Sequence, residues 1–159
     1  MLTWFQPSIN SKVLKGRLPS VHRNTIVLSS SFRSCLAGIE PAALPLLVAT
    51  LTLIGSSEPV TMSEIDVTAI GALEPELVVM NVDALTTDPF EAIRMTRFLL
   101  RSCIIAIFTA RLDRSWGFSL HLAGANCLLA SGNGEDRTAL GLLHAIRGGC
   151  FTDRAFDAA

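Results

Sequence analysis

The sequence predicts an α/β fold in which helices cover both faces of a parallel sheet, and three observations support it. Half of the 159 residues are apolar, and the mean hydropathy is positive, at +0.46. Strands buried on both faces account for such a composition. From Asn24 onward, short apolar runs alternate with stretches of helical length, as in successive strand–helix–strand units. The length suits one domain with additional terminal residues.

Five apolar runs are the predicted strands. Each is separated from the next by enough residues for a helix, and such connections make neighbouring strands parallel with right-handed crossovers. The predicted strands are residues 25–28, 50–54, 76–80, 103–108 and 126–129.

Residues typical of helix ends mark the connections. Pro41 and Pro45 fall in the first helix, which we expect to start late, kink or break. Residues 61–64, with sequence TMSE, form a capping-box pattern that predicts the start of the second helix, and Pro75 ends it.

The last three helices have clearer signals. Asp88 precedes Pro89 at the start of the third helix, and Asp113 caps a fourth helix that Gly124 ends. The acidic residues 135–136 lie in the predicted first turn of the last helix, where they favour the macrodipole.

Five parallel strands with helices on both faces fit a doubly wound, flavodoxin-like sheet of order 2-1-3-4-5. Ligands of such sheets bind in the crevice beyond the carboxyl ends of the first and third strands. The residues predicted to reach that crevice are Ser29, Ser30 and Ser31 from the first strand, Asn81 from the third and Thr109 from the fourth.

The predicted organisation has three parts: a basic arm at 1–23, a domain at 24–149 and a C-terminal tail at 150–159. Up to Gly38 the chain has five basic residues and no acidic one. Pro7 and Pro19 and the lack of periodicity favour a disordered arm, although an organellar transit peptide or a start codon placed too far upstream also explains the composition.

No membrane span and no metal site are predicted. The longest apolar run, 42–54, is shorter than the roughly 20 residues that a spanning helix needs. The four cysteines lack the spacing of metal ligands, and we interpret them as reduced thiols of a cytoplasmic protein. They are Cys35, Cys103, Cys127 and Cys150.

Four segments in order resemble response-regulator receiver domains, closest to those of LuxR-type regulators. They are PELVVMNVDALTTDPFEAIR, IIAIFTAR, LHLAGANCLLASG and LLHAIRGGCFTDRAF, and the resemblance covers residues 24–156. It implies a domain of a two-component phosphorelay, in which a histidine kinase phosphorylates an aspartate with the help of Mg²⁺.

The resemblance also implies that most of the reactive groups are missing. The phosphoacceptor position is Asn81, a poor nucleophile, and the acidic pair that holds Mg²⁺ falls on Ser30 and Ser31. The position of the phosphate-binding lysine falls on Ala130, so only the switch hydroxyl, Thr109, remains.

We therefore predict a stand-alone, phosphorylation-incompetent pseudo-receiver that is not an enzyme, binds no cofactor or Mg²⁺ and acts by protein–protein contact. Asp83, two residues beyond Asn81, is interpreted as a solvated loop acid. Three alternatives stay open: a decaying copy, a small-ligand sensor that uses Ser30, Asn81 and Thr109, and a truncated transcriptional regulator acting by mixed dimerisation.

The predicted partner is a second copy, another response regulator or a different signalling protein. Trp116 lies on an apolar stripe of the fourth helix and Phe118 lies off it, so one aromatic should be partly exposed and available for contact. His121 and His144 are expected at the surface or its boundary. No recognition helix follows residue 149, and direct DNA binding is not predicted.

Overall fold

In the part of the chain that the structure describes, six parallel strands form the sheet, in the order β2-β1-β3-β4-β5-β6. The computed structural model describes residues 31–158. The predicted doubly wound order is confirmed, and a sixth strand extends it beside β5. The strands are β1 (Ser34–Ala37), β2 (Val60–Met62), β3 (Leu77–Asn81), β4 (Ile104–Thr109), β5 (Cys127–Ala130) and β6 (Phe151–Thr152).

Between residues 31 and 158, five α-helices cover the two faces of the sheet. They are α1 (Leu44–Leu53), α2 (Val67–Leu73), α3 (Pro89–Leu99), α4 (Arg114–Ala123) and α5 (Glu135–Ile146). One core cluster joins α1 and α5 to the sheet, and a second joins α2, α3 and α4 to the opposite face. Both faces of β3 are therefore buried, which explains its continuous apolar sequence.

The first strand was predicted at the wrong place. The central strand that pairs with both β2 and β3 is Ser34–Ala37. Residues 25–28 lie outside the described part of the chain, as do residue 24 and the predicted basic arm. The sequence of β1, SCLA, has no β-branched or aromatic residue, so strand propensity did not mark it.

The second strand was also predicted wrongly, because residues 50–53 belong to α1. This helix is apolar nearly all round, and such a segment has no helical period to distinguish it from a buried strand. The true β2 is a short, half-exposed edge strand that includes Thr61, so the capping-box prediction was wrong as well. Asp66 caps α2 instead, accepting a hydrogen bond from the amide of Ala69 at 3.0 Å.

The other helix signals are confirmed. Asp88 accepts a hydrogen bond from the amide of Phe90 at 2.9 Å, with Pro89 in the first turn of α3. Asp113 accepts one from the amide of Trp116 at 2.7 Å. α1 starts late, so that Pro45 falls within its first two positions, where proline is tolerated.

Residues 150–158, predicted as a tail, pack on the domain. They contribute β6 and a 3₁₀ turn at Arg154–Asp157, whose Phe156 is fully buried beside α4. Asp153 is also buried, and it accepts a hydrogen bond from the amide of Ala155 at 2.8 Å and pairs with Arg137 at 3.3 Å. The segment therefore closes one edge of the core.

Within residues 31–158, none of the helices has both the length and the apolar character that crossing a membrane requires.

Candidate functional site

A crevice of about 350 Å³ opens at the carboxyl ends of β1, β3 and β4, where the predicted site lies. Its polar lining comes from the loops that follow these strands and β5, and its apolar lining comes mainly from the start of α1. The lining residues are Glu40, Ala42, Ala43, Leu46, Asn81, Asp83, Phe108, Ala110 and Ser131.

Asn81 ends β3 and faces this crevice with only 4% of its surface exposed. Its side-chain oxygen accepts a hydrogen bond from the amide of Asp83 at 3.1 Å, which starts a 3₁₀ turn at Val82–Ala84. The side chain of Asn81 thus orders the loop that follows β3. An uncharged carboxamide is a poor nucleophile, so the group cannot attack a phosphoryl donor as a carboxylate does.

The carboxylate of Asp83 binds the loop that follows β4. The hydroxyl of Thr109 donates to one carboxylate oxygen at 2.5 Å, and the backbone amide of Ala110 donates to the other at 2.6 Å. Both bonds are charge-assisted, which makes them stronger than neutral hydrogen bonds. Asp83 is exposed and lies in the turn after β3, as the interpretation of a solvated loop acid requires, and its carboxylate in addition bridges the ends of β3 and β4.

Of the two predicted acidic-pair residues, the one that the structure describes, Ser31, does not line the crevice. Ser31 lies three residues before β1, at the opposite end of the strand, and Ser30 is outside the described residues. The residues that follow β1 are Gly38, Ile39 and Glu40, and Glu40 lines the crevice. Glu40, which the sequence analysis did not single out, therefore adds a second carboxylate beside that of Asp83.

No lysine, arginine or histidine is among the residues that line the crevice within 31–158. Ala130, at the predicted lysine position, ends β5 and is buried. The nearest cation along the β4–α4 loop, Arg111, pairs with Asp113 at 2.8 Å and stacks over Trp116 at 4.0 Å from the ring centre. The hydrogen bond from Arg111 is the main cause that lowers the pKa of the Asp113 carboxyl.

A magnesium ion would have to use Glu40, Asp83 and the oxygen of Asn81 here. Asp83 already accepts two hydrogen bonds and Asn81 accepts one. In the described range no cluster of three histidine, cysteine or acidic side chains has the arrangement of a metal site. Loss of Mg²⁺ binding stays a prediction. It now rests on the fact that a metal ion would compete with hydrogen-bond donors for the oxygens of Asp83 and Asn81.

Phe118 is the exposed aromatic of α4, at 65% exposure. This agrees with the prediction that one of the two aromatics, Trp116 or Phe118, would be partly exposed. Trp116 is half-buried, with its ring 5.0 Å from that of Phe90. One turn beyond Phe118, Leu122 is 73% exposed, and the sequence analysis did not single it out. Leu122 follows Phe118 by four residues, a spacing that puts both on one face of a helix, and this spacing would have indicated Leu122.

The described histidines and the four cysteines do not line the crevice. His144 is exposed, and His121 is half-buried, with its ring nitrogens 2.8 Å from the carbonyl of Ala125 and 2.8 Å from the hydroxyl of Thr152. All four cysteines are free. Burial raises the pKa of the Cys35 thiol to about 11 and that of Cys103 to about 12, so both stay protonated at neutral pH.

The strand order, the helices on both faces and the polar residues at the ends of β3 and β4 define a class: this chain has the fold of response-regulator receiver domains. Neither a family model nor a curated protein matches the sequence.

Three solved structures illustrate the similarity. A LuxR-family two-component response regulator from Aurantimonas is 16% identical, with a TM-score of 0.66, covering 81% of this chain and 94% of that one. The isolated receiver domain of RcsB from Salmonella enterica, solved with the phosphomimetic BeF₃⁻, is 13% identical with a TM-score of 0.68, covering 81% and 98%. A response regulator from Thermotoga maritima is 15% identical with a TM-score of 0.65, covering 74% and 98%.

Proposed function

We propose that this protein is a receiver-fold signalling domain that works without phosphorylation and without catalysis of its own, through contact with a protein partner. The observation that carries the proposal is the crevice itself: the acceptor position holds the amide of Asn81, and the Thr109 hydroxyl already bonds to Asp83.

Phosphoryl transfer needs a nucleophile, a metal held by carboxylates and a cation that meets the developing charge. Asn81 provides no nucleophilic carboxylate, and no cationic side chain is among the described residues that line the crevice. The isolated RcsB receiver was solved with a phosphomimetic anion. In this chain an incoming phosphoryl group would have to displace Asp83, and two nearby carboxylates would repel it.

The small-ligand alternative has less support. Its residues were Ser30, Asn81 and Thr109, and the first lies outside the described residues. The other two use their side-chain oxygens within the protein, because Asn81 accepts from Asp83 and Thr109 donates to it. We therefore place the function on the outer surface of the domain rather than in the crevice.

Incubation with acetyl phosphate and Mg²⁺ tests the absence of phosphorylation. We expect the intact mass to be unchanged, while a phosphorylatable receiver treated in parallel gains one phosphoryl group. The Asn81→Asp variant should also stay unmodified, because restoring the nucleophile supplies neither the cation missing at Ala130 nor a free Thr109 hydroxyl. A hydroxylamine-labile phosphoryl gain on the wild-type chain would contradict the proposal.

Affinity capture from the native cell tests the partner contact. Phe118 and Leu122 are exposed one turn apart on α4, and we expect the double change Phe118→Ser and Leu122→Ser to abolish capture of the partner. Leu140→Ser, at a 53% exposed position on α5, is the matched control and should capture as the wild type does. If all three proteins retain the same partner, this face is not the contact.

A further inference from the structure

The outer face of α3 carries a group of exposed apolar side chains. Its inner face packs on the sheet, whereas Met95, Phe98 and Leu99 are exposed, Phe98 at 68%. Leu99 rests against the neighbouring helix α2, where a Cβ added at Gly71 would lie 3.2 Å from its side chain. Single exposed apolar side chains are normal on a monomer, but several that lie together mark a contact surface. We call Met95, Phe98 and Leu99 the α3 patch.

Charges of opposite sign flank the α3 patch. Glu91 is exposed in the first turn of the helix, and Arg101 is exposed just beyond its end. Neither side chain forms an ion pair within residues 31–158, whereas Arg94 is already paired with Asp88 at 3.6 Å. Glu91 precedes Met95 by four residues, a spacing that puts both on one side of the helix. The patch therefore lies between an acid and a base that the described chain leaves unpaired.

We propose that the α3 patch is a self-association surface, on which a second copy of this chain docks with its own α3 antiparallel. A two-fold axis that passes between Met95 and Phe98 generates this arrangement, in which both copies use the same surface. Met95 of each copy then lies beside Phe98 of the other, and sulfur–aromatic contacts of this kind are favourable. Glu91 of each copy comes near Arg101 of the other, because these residues lie at similar distances from the axis, on opposite sides of it.

The arrangement of charge favours a second copy over other occupants. Parallel helices would put Glu91 beside Glu91 and Arg101 beside Arg101, and like charges repel each other. An anionic membrane surface would repel Glu91 while it attracts Arg101. Residues 1–30 contain lysines and arginines but no acidic residue, so they could pair with Glu91 but not with Arg101. An antiparallel copy of α3 supplies a partner of opposite sign for both.

The α3 patch is small, so the dimer should be weak. Each partner of a stable dimer buries about 800 Å², and the exposed side chains of one short helix provide less than that. We therefore expect association at micromolar to millimolar concentrations, and we expect added salt to weaken it because exposed charges are screened. This surface is additional to the proposed partner contact on α4 and does not depend on it.

Sedimentation velocity of the full-length chain over this concentration range tests the proposal. The wild type should form a reversible dimer, and Phe98→Ser should raise its dissociation constant about tenfold or more, as expected for an aromatic side chain at the centre of an interface. Leu140→Ser, at an exposed apolar position on α5, is the matched control and should dimerise as the wild type does. A wild type that is monomeric throughout, or equal weakening by the two substitutions, would overturn the proposal.

Charge reversal tests the antiparallel orientation. Glu91→Arg and Arg101→Glu should each raise the dissociation constant about tenfold, because each symmetric dimer then contains two contacts between like charges. Both positions are exposed, so the fold should tolerate the changes. An equimolar mixture of the two variants should dimerise like the wild type, since both contacts of the mixed dimer again join opposite charges. A mixture as weak as its components contradicts the proposed pairing.

The double change Phe118→Ser and Leu122→Ser separates this surface from the partner contact on α4. We expect this variant to dimerise like the wild type, because its substitutions lie on a different helix. If it loses the dimer while Phe98→Ser keeps it, the self-association surface lies on α4 and the proposal is wrong. Failure to capture a partner protein leaves the sedimentation result unchanged, so the dimer and the partner contact are tested independently.

Discussion

Replacing Arg97 by alanine will lower the free energy of unfolding by about 3–5 kcal/mol. The half-buried guanidinium lies where the last turns of α3 and α4 come together with the starts of β4 and β5. It donates to five oxygens: those of Leu100 at 3.4 Å, Arg101 at 3.0 Å, Cys103 at 2.6 Å and Gly124 at 2.9 Å, and the side-chain oxygen of Asn126 at 2.5 Å.

The size of this effect follows from the oxygens that lose a charged donor. The carbonyl of Leu100 keeps the amide of Cys103 at 3.2 Å, and the side-chain oxygen of Asn126 keeps the amide of Ile105 at 2.9 Å. Carbonyls at the ends of helices have no intrahelical partner and carry the negative end of the macrodipole, so a cation stabilises both helix ends at once. Lysine should restore only part of the loss, because a single ammonium group cannot replace the planar, five-donor guanidinium. Denaturant unfolding of Arg97→Ala and Arg97→Lys measures both quantities.

Arg94→Ala is the matched control on the same helix. Arg94 pairs with Asp88 at 3.6 Å, and the two side chains are 60% and 48% exposed. Exposed pairs contribute little, so we expect a change within about 0.5 kcal/mol. Equal destabilisation by the Arg94 and Arg97 substitutions would mean that the hydrogen bonds of Arg97 do not persist in solution.

Replacing Phe156 by alanine should cost about 3–5 kcal/mol, as for other fully buried aromatic side chains. The ring packs against α4 at Gly117, where an added Cβ would lie 2.9 Å from it. The substitution leaves a cavity between α4 and β5, because the glycine has no side chain with which to fill it.

Phe118→Ala removes the same atoms from an exposed position on α4 and should change stability by less than about 0.5 kcal/mol. Urea or guanidinium unfolding compares the two variants directly. If Phe156→Ala is as mild as Phe118→Ala, residues 150–158 do not stay docked in solution and the predicted tail is the better description of them.

The parts of the fold that could be predicted are those in which local chemistry and burial agree. β3, β4 and β5 are continuous apolar strands, and each following helix begins at acidic residues, such as Asp88 and Asp113, that bond to its first turn or favour its macrodipole. The predictions for Asn81, Thr109 and Ala130 rest on these strands, and all three residues lie at the ends of β3, β4 and β5 as predicted.

The predictions failed where the hydrophobic pattern of the sequence does not distinguish a helix from a strand, or where a strand is too short to show a pattern. α1 buries only Leu47, Thr50 and Leu51, but its sequence is apolar nearly all round and resembles a strand, while β2 is an exposed edge of three residues. β6 is shorter still, and its pairing with β5 depends on packing of the C-terminal segment. The misplaced β1 then carried the predicted acidic pair to Ser30 and Ser31 and concealed the position of Glu40.

The amino-acid sequence was sufficient to specify a doubly wound α/β domain with the amide of Asn81 at the end of its third strand, because strand runs, caps and the residue after each strand are local properties. The bond between Asp83 and Thr109 joins residues that are 26 positions apart, so it exists only once β3 and β4 pair in register. The sequence predicted a crevice without charged groups. In the folded protein the hydroxyl of Thr109 and the amide of Ala110 both donate to the carboxylate of Asp83 at this crevice.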